Sequence, residues 1–331
     1  MTASHTASQT VSQTGSHTGS AHWAAVDWGT THLRLWLLDH NHNMIRQTET
    51  ERGMVQLQST EYEATLLDLL SQDLQPTHPM SVICCGMVGS RQGWQEAPYA
   101  PCPTPPPSGE HATRVTTKDP RIEVYLLPGI KQISPPDVMR GEETQIAGFL
   151  SRNPQYDGVL CLPGTHSKWV HISAGEVVSF QTFMTGELFA LLCKESVLRH
   201  NVGATGWNDE MFTNAIDDAI SRPAAIAAQL FTLRAQSLIA TLPPEAARAR
   251  LSGLLIGLEL AAARPYWLGT QVAVLGDTEV AQAYCRALTA QGSPVKMTAT
   301  ERMTLDGLKS AYNTLQAVSY THLRAHETTH D

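Results

Sequence analysis

"AVDWGTTHLRLW", residues 25–36, is the stretch on which the reading of this chain turns. An apolar run ends in Asp27, turns through Gly29, Thr30 and Thr31, and resumes as a run in which Leu33, Leu35 and Leu37 alternate with Arg34, Trp36 and Leu38. Period two over that length predicts two strands joined by a tight turn. A core has no need of an acid, a glycine and two hydroxyl residues at the lip of a strand. A ligand does: glycine permits close backbone approach, and N–H groups and hydroxyls can meet phosphate oxygens. Asp27 is then placed to hold Mg2+, directly or through water, where the ion bridges phosphates.

The motif partly recurs about 135 residues later in "GVLCLPGTHSKWVHI", residues 158–172. Gly164-Thr165 matches Gly29-Thr30, and third strands follow each copy within 44–56 and 176–184. Such a repeat predicts two related halves with a cleft between them. Leu162 stands where Asp27 stands in the first copy, so one acidic and one neutral turn suit a single metal site. His166 and Lys168 are candidates for phosphate or substrate contact, although such strand residues are commonly just solvated.

Between the copies the pattern predicts a helix over 61–74 and a strand at 81–90 ending in glycine turns. A proline-rich surface loop at 98–107 cannot continue a ladder. A strand at 121–129, a loop over 133–143 and a helix beginning near Glu142 follow. Beyond the second copy come helices within 210–240 and over 244–264, a strand, turn and helix at 271–288, and a last helix at 305–316. Gly276, Asp277 and Thr278 form that turn, a usual nucleotide position, yet any doubly wound sheet has such turns.

Composition bounds the rest. With 331 residues, 42% hydrophobic and 16% charged, the chain can bury a large core and is expected to form two domains. A net charge of -8 with only 23 Lys and Arg argues against a broad nucleic-acid footprint. No apolar stretch is long enough for a bilayer, so no membrane partner is expected. Six scattered cysteines without a C-x-x-C pair read as reduced thiols in the cytoplasm. Cys84 and Cys85 must point to opposite faces of one strand, which suits packing.

Residues 1–21 repeat small hydroxyl residues and are expected to be a disordered tail without the apolar region of a signal peptide. Residues 318–331 turn polar and His-rich, resembling translated adapter sequence fused to a gene fragment. Five of the 14 histidines fall in these tails, which weakens a metal reading of the histidine count. The expected division is an N-terminal half at 22–140, a C-terminal half at 141–304, and a helix at 305–317 returning to the first half.

Phosphoryl transfer to an alcohol needs a group that orients and deprotonates the attacking hydroxyl. "MRGEETQIAG", residues 139–148, offers Glu142 or Glu143 at a helix start. The helix dipole alone accounts for a first-turn glutamate, but Arg140 and Gly141 before it look like a ligand loop. Arg91, after a strand-end glycine turn, could pair with a substrate carboxylate or simply lie at the surface. Arg34 either forms a structural ion pair or faces the cleft.

Seven strings in collinear order, "AVDWGTTHLRLW", "GMVGSRQGWQEAPY", "PGI", "DVMRGEETQ", "PGTHSKWV", "TFMTGELF" and "LSGLLIGLE", resemble the 2-dehydro-3-deoxygalactonokinase family from about Trp23 to Gln316. The resemblance implies an α/β, actin-like ATPase or hexokinase-type fold: two RNase H-like halves with mixed sheets flanked by helices around a nucleotide cleft. It implies ATP- and Mg2+-dependent phosphorylation of 2-dehydro-3-deoxy-D-galactonate at its 6-hydroxyl. By the same resemblance, Asp27 and Gly29 to Thr31 form one phosphate hairpin and Pro163 to Lys168 the other. Val274 to Thr278 would be the adenosine segment, and Glu142 is the better match for the base. A substrate carboxylate needs a cation, for which Arg91 or Arg140 is the candidate. The partners are then a sugar acid and a nucleotide, with a homodimer left open. An exopolyphosphatase-like hydrolase would use the same hairpins and glutamates on water, and a non-catalytic actin-like ATPase would bind nucleotide for a protein partner.

Overall fold

The computed structural model of the protein describes residues 9–12, 20–240 and 242–327, apart from the side chains of 9–12 and 318–327. The chain divides into one unit that runs to Gln155 and resumes at Glu301, and a second spanning Tyr156–Thr300. In the first, the strands are β1 (Gln9–Ser12), β2 (Trp23–Trp28), β3 (Leu33–Leu38), β4 (Met44–Thr50), β5 (Met80–Gly86), β6 (Tyr99–Pro101), β7 (Thr113–Val115), β8 (Ile122–Leu126), β9 (Gly129–Gln132) and β10 (Asp137–Met139). Seven form a mixed sheet in the order β1-β4-β3-β2-β5-β8-β7, and β10-β9-β6 form a small second sheet. In the second unit β11 (Gly158–Leu162), β12 (Ser167–Ser173), β13 (Glu176–Phe183), β14 (Val272–Leu275) and β15 (Lys296–Thr298) make one sheet, ordered β13-β12-β11-β14-β15.

The repeat in the sequence is a repeat in topology. β4-β3-β2 and β13-β12-β11 are antiparallel meanders. β2-β5-β8 and β11-β14-β15 continue each sheet in parallel. Each unit therefore holds the same five-strand, RNase H-like core.

Alternation explains why the first sheet can be covered on both sides. Ala24, Val26, Trp28, Leu33, Leu35 and Leu37 pack with Tyr62, Leu66 and Leu70 of α1 (Tyr62–Leu70). The opposite set, including Trp23, Ala25, Trp36 and Leu38, packs on Leu308, Ala311 and Tyr312 of α9 (Thr300–Glu327). Trp23 and Tyr312 stack with ring centroids 4.2 Å apart. Cys84 and Cys85 fall on opposite faces, and all six cysteines are free thiols. Leu35 is fully buried, so Leu35→Ala is expected to cost about 2–5 kcal/mol in urea unfolding. A loss below about 1 kcal/mol would mean that this core collapses around the gap.

Several expectations need correction. The unit boundary falls at 155/156, not 140/141, because α2 (Glu142–Arg152) packs within the first unit. A Cβ on Gly148 would stand 1.9 Å from the Met303 carbonyl oxygen and one on Gly307 2.0 Å from that of Thr144, so α2 and α9 cross nearly backbone to backbone. Helix α9 begins at Thr300, ahead of the expected 305, and its backbone runs to Glu327, into the expected foreign segment. Residues 328–331 lie outside the described residues, as do 1–8 and 13–19 of the expected disordered tail. Gln9–Ser12 pair antiparallel with β4; an edge offers backbone hydrogen bonds without requiring an apolar pattern. The proline-rich segment does enter a ladder, since Tyr99–Pro101 pair parallel with Gly129–Lys131 at the edge of the small sheet, where proline is tolerated. The expected loop at 133–143 likewise contains β10.

The second unit connects β13 to β14 through α3 (Thr185–Glu195), α4 (Asp209–Ser221), α5 (Ile226–Ile239), α6 (Pro244–Ala262) and α7 (Arg264–Trp267), and β14 to β15 through α8 (Glu279–Ala290). Among the described residues, no helix is long and apolar enough to cross a membrane.

Candidate active site

In the first unit the carboxyl of Asp27 sits near the end of β2, in register with Arg34 on β3 and Cys85 on β5. The Cys85 thiol lies 3.8 Å from Asp27 Oδ1. Burial pushes the Asp27 carboxyl above its ordinary range; the Arg34 guanidinium opposes this and the charge of Glu142 adds to it. Arg34 also pairs with Glu49 at 3.2 Å, so it acts as a partner within this charged group.

The turn after Asp27 is held from outside. Gly29 N–H donates to the His32 carbonyl, while Gly53, Met54 and Val55 donate to the carbonyls of Thr31, Gly29 and Thr30. Thr30 and Thr31 remain exposed, and the Thr31 hydroxyl contacts His32 Nδ1 at 2.8 Å.

Glu142 and Glu143 open α2 after Gly141, whose φ of +107° favours glycine. A Cβ there would sit 3.4 Å from Gly86 Cα, and one on Gly86 would sit 3.4 Å from Asp27 Oδ1, which brings the head of α2 close to the metal candidate. The two glutamates differ in kind. Glu142 is partly exposed and accepts from Arg140 N–H at 3.1 Å. Glu143 is 1% exposed, and both its oxygens face Gly141 N–H at 2.8 and 2.7 Å. Burial, then the neighbouring Glu142 charge, lift its pKa to about 8. Folding therefore takes up a proton at Glu143 between the ordinary 4.5 and about 8, and wild-type stability falls as pH rises through that window. Glu143→Gln is expected to remove on the order of 2–4 kcal/mol from the stability difference between pH 5 and 8, read by urea melts at each pH. An unchanged slope would contradict the protonation of this buried acid.

Arg140 is buried, 9% exposed, and its guanidinium donates to the Ala97 carbonyl at 2.8 Å and to Tyr99 Oη at 3.2 Å. It lies 4.1 Å over the Tyr99 ring, while its Nη1 has no hydrogen-bond partner among the described residues and lies beside Gly89. Arg91, in the neighbouring segment, is exposed.

The second unit holds a cavity of about 590 Å3, a size suited to a small-molecule ligand. Gly164 and Thr165 of the second turn line it, with Thr185 and Gly186 from the start of α3. A Cβ on Gly186 would stand 2.2 Å from the Gly164 carbonyl oxygen, so only glycine lets α3 abut the turn. Glu187 N–H donates to the Thr165 carbonyl, and its carboxyl meets His166 Nε2 at 2.6 Å. Lys168 is buried on β12, contrary to the solvated position usual for strand lysines, and is not part of the cavity wall.

Gly276, Asp277 and Thr278 do not line the cavity either; the residues just after them, Glu279 to Arg286 on one face of α8, do. Thr278 caps α8 through the Ala281 N–H. The wall also carries two arginines on aromatic rings, Arg248 5.0 Å over Phe189 and Arg286 5.4 Å over Trp207. Sequence reasoning missed these residues and also Glu259, a 2%-exposed acid on α6 that accepts from four side chains. Its signal was present: one acid inside the apolar run "GLLIGLELAAA".

Two mixed-sheet units of common topology, one with a glycine–threonine turn beside acids and the other with a cavity at its turn, place the protein in the actin-like ATPase and sugar-kinase fold class. The activator of 2-hydroxyisocaproyl-CoA dehydratase from Clostridium difficile, solved with bound ADPNP, shares the fold at TM-score 0.50 and 10% identity, over 91% of this chain and 97% of that one. A model of the 2-keto-3-deoxy-galactonokinase family matches residues 27–311, and the chain belongs to that family. DgoK1 of Rhizobium meliloti (strain 1021), assigned as a 2-dehydro-3-deoxygalactonokinase, is 36% identical over 299 residues, 88% of this chain and 97% of its own length. The 2-dehydro-3-deoxygalactonokinase of Escherichia coli (strain K12) is 33% identical over 295 residues, with the same coverage. The crystal structure of a Sinorhizobium meliloti protein with the same assignment superimposes at TM-score 0.83 and 35% identity, over 89% of this chain and 99% of that one.

Proposed function

We propose that the protein transfers the γ-phosphoryl group of ATP to the 6-hydroxyl of 2-dehydro-3-deoxy-D-galactonate, in the cytoplasm, as a step of galactonate breakdown. The observation that carries this reading is the head of α2, where Gly141, next to Glu142, packs on Gly86 beside Asp27, in a chain of this family. The second unit takes the nucleotide. Backbone groups of Gly164 and Thr165 face its phosphates, with His166 and Lys168 supporting the turn, and the rings of Trp207 and Phe189 with the α8 face bound the space for the base. Gly276, Asp277 and Thr278 set the start of α8.

Mg2+ takes few protein ligands, usually one or two carboxylates completed by phosphate oxygens and water. Among the described residues no group of three or more His, Cys, Asp or Glu could hold a metal ion, whereas Asp27 with Glu142 nearby fits that sparser demand. Asp27 would hold the ion, which when bound offsets charge on the transferred group.

Glu142 accepts the proton of the substrate's primary hydroxyl as its oxygen bonds the γ-phosphorus and the bond from phosphorus to the bridging oxygen of ADP breaks. Gly29, Thr30 and Thr31 present donors to the developing charge. Arg140, with unsatisfied Nη1–H groups, and exposed Arg91 supply cations for the substrate carboxylate. Both partners are small molecules, and assembly as a homodimer is compatible with the exposed apolar residues of α5, Phe231, Leu238 and Ile239.

Coupled ADP release tests the reading, with ATP, Mg2+ and one of four acceptor conditions: the galacto acid, its gluco epimer, polyphosphate or none. Release that requires the sugar acid is expected. Release without acceptor, or with polyphosphate alone, would overturn it.

A further inference from the structure

Glu259 lies in the last turn of α6, inside its apolar run at 253–263, and nothing in the proposed chemistry uses it. Its surroundings are nevertheless built for a carboxyl group. Oε2 accepts from Ser167 Oγ at 2.7 Å, from Tyr284 Oη at 2.6 Å and from Thr185 Oγ1, while Oε1 accepts from Trp169 Nε1 at 2.7 Å. Tyr284 Oη also lies 3.1 Å from Ser167 Oγ, and burial beside Glu259 holds the phenol well above its ordinary pKa. A buried carboxyl is costly unless such donors meet it, and an apolar side chain would fill the same volume without them.

The donors come from the elements that frame the second turn. Ser167 and Trp169 begin β12 directly after it, Thr185 is the first residue of α3, and Tyr284 is on α8. Thr185 and Tyr284 also line the cavity. The start of α3 in turn fixes the turn, through Gly186 against the Gly164 carbonyl and Glu187 N–H on that of Thr165.

We propose that Glu259 is a positioning residue for the nucleotide phosphates: by gripping Ser167 on one side and Thr185 on the other, it sets the 163–166 turn at the rim of the cavity. The inference rests on the reading of that cavity as the nucleotide site and goes further, since it names the group that presets the turn before ATP arrives. Preorganised donors spend no binding energy on ordering themselves.

The substitution Glu259→Gln keeps the shape. Trp169 Nε1 can only donate, so the amide oxygen must face it, leaving a two-hydrogen amide to serve three hydroxyls. At least one of Ser167, Thr185 and Tyr284 then loses its bond, and the turn loosens. KM for ATP is expected to rise roughly tenfold, with KM for the sugar acid within twofold and kcat changed less than KM for ATP. Ser167→Ala, at a fully buried position outside the cavity wall, is expected to shift KM for ATP in the same direction and decides the matter if Glu259→Gln does not fold. Leu260→Ala, one residue along the same buried helix, should lower the melting temperature without the KM split. Calorimetric titration with a non-hydrolysable ATP analogue is run on wild type and the variants. If wild type binds and folded Glu259→Gln and Ser167→Ala bind as tightly, the inference falls and the nucleotide reading stands. If wild type itself takes up no nucleotide, the nucleotide reading falls and takes the inference with it.

Discussion

Glu142→Gln is expected to lower kcat by roughly 10²–10⁴, the range for loss of a general base, while KM for ATP and for the sugar acid stays within about threefold. The reason is local. Glutamine keeps an oxygen that can accept the Arg140 N–H, now 3.1 Å from Glu142 Oε2, so the head of α2 holds its shape. It cannot take a proton. The same change removes a negative charge that raises the pKa of both Asp27 and Glu143, so the variant should melt no lower than wild type at pH 7. Steady-state rates with a melt at that pH check both halves. Activity within tenfold of wild type would move the base to another carboxyl, Asp27 ahead of Glu143, which is buried and turned onto Gly141.

The second large effect is at Asp27. Asp27→Asn is expected to reduce kcat by about 10²–10³, the scale on which a transition-state charge stabiliser is lost, yet not to destabilise the fold. The native pKa of Asp27 lies above its ordinary 3.8. Between those two values the folded chain holds more protons than the unfolded one, so stability falls as pH rises through the window, and the buried acid costs stability above it. Asparagine removes that cost. A melting temperature at pH 7 equal to or above wild type, beside a collapsed rate, is the expected pair. If stability falls together with activity, Asp27 is a structural acid held by Arg34.

Much of this was visible in the residues. Period-two alternation around Asp27 and again after Gly158 identified the two meanders, because each β strand of a two-sided sheet must bury both faces in register. The start of α2 at Glu142 was legible from the glycine and paired acids before an amphipathic run. The small sheet was not, because strands of three or four residues, one ending in Pro101, carry too few positions to show a period. Helix α3 left little trace for a related reason: among its residues only Thr185 is buried, and the stripe that packs, Phe189, Leu192 and Cys193, is short and half-buried. The cavity wall was hidden because Thr205 to Trp207, Arg248 and Arg286 are distant in sequence and meet only in the fold. The unit boundary moved for the same reason, since Gly148 and Gly307 make their contact across 159 positions of chain.

The position of the new phosphate tests the central claim most directly. The purified protein is incubated with ATP, Mg2+ and 2-dehydro-3-deoxy-D-galactonate, and the product is read by phosphorus-proton correlation in NMR. Phosphorus coupled to the two C6 methylene protons is the expected result. Phosphorus on any secondary hydroxyl, or recovered only as inorganic phosphate, would contradict the assignment of Glu142 and the two turns to transfer onto that hydroxyl.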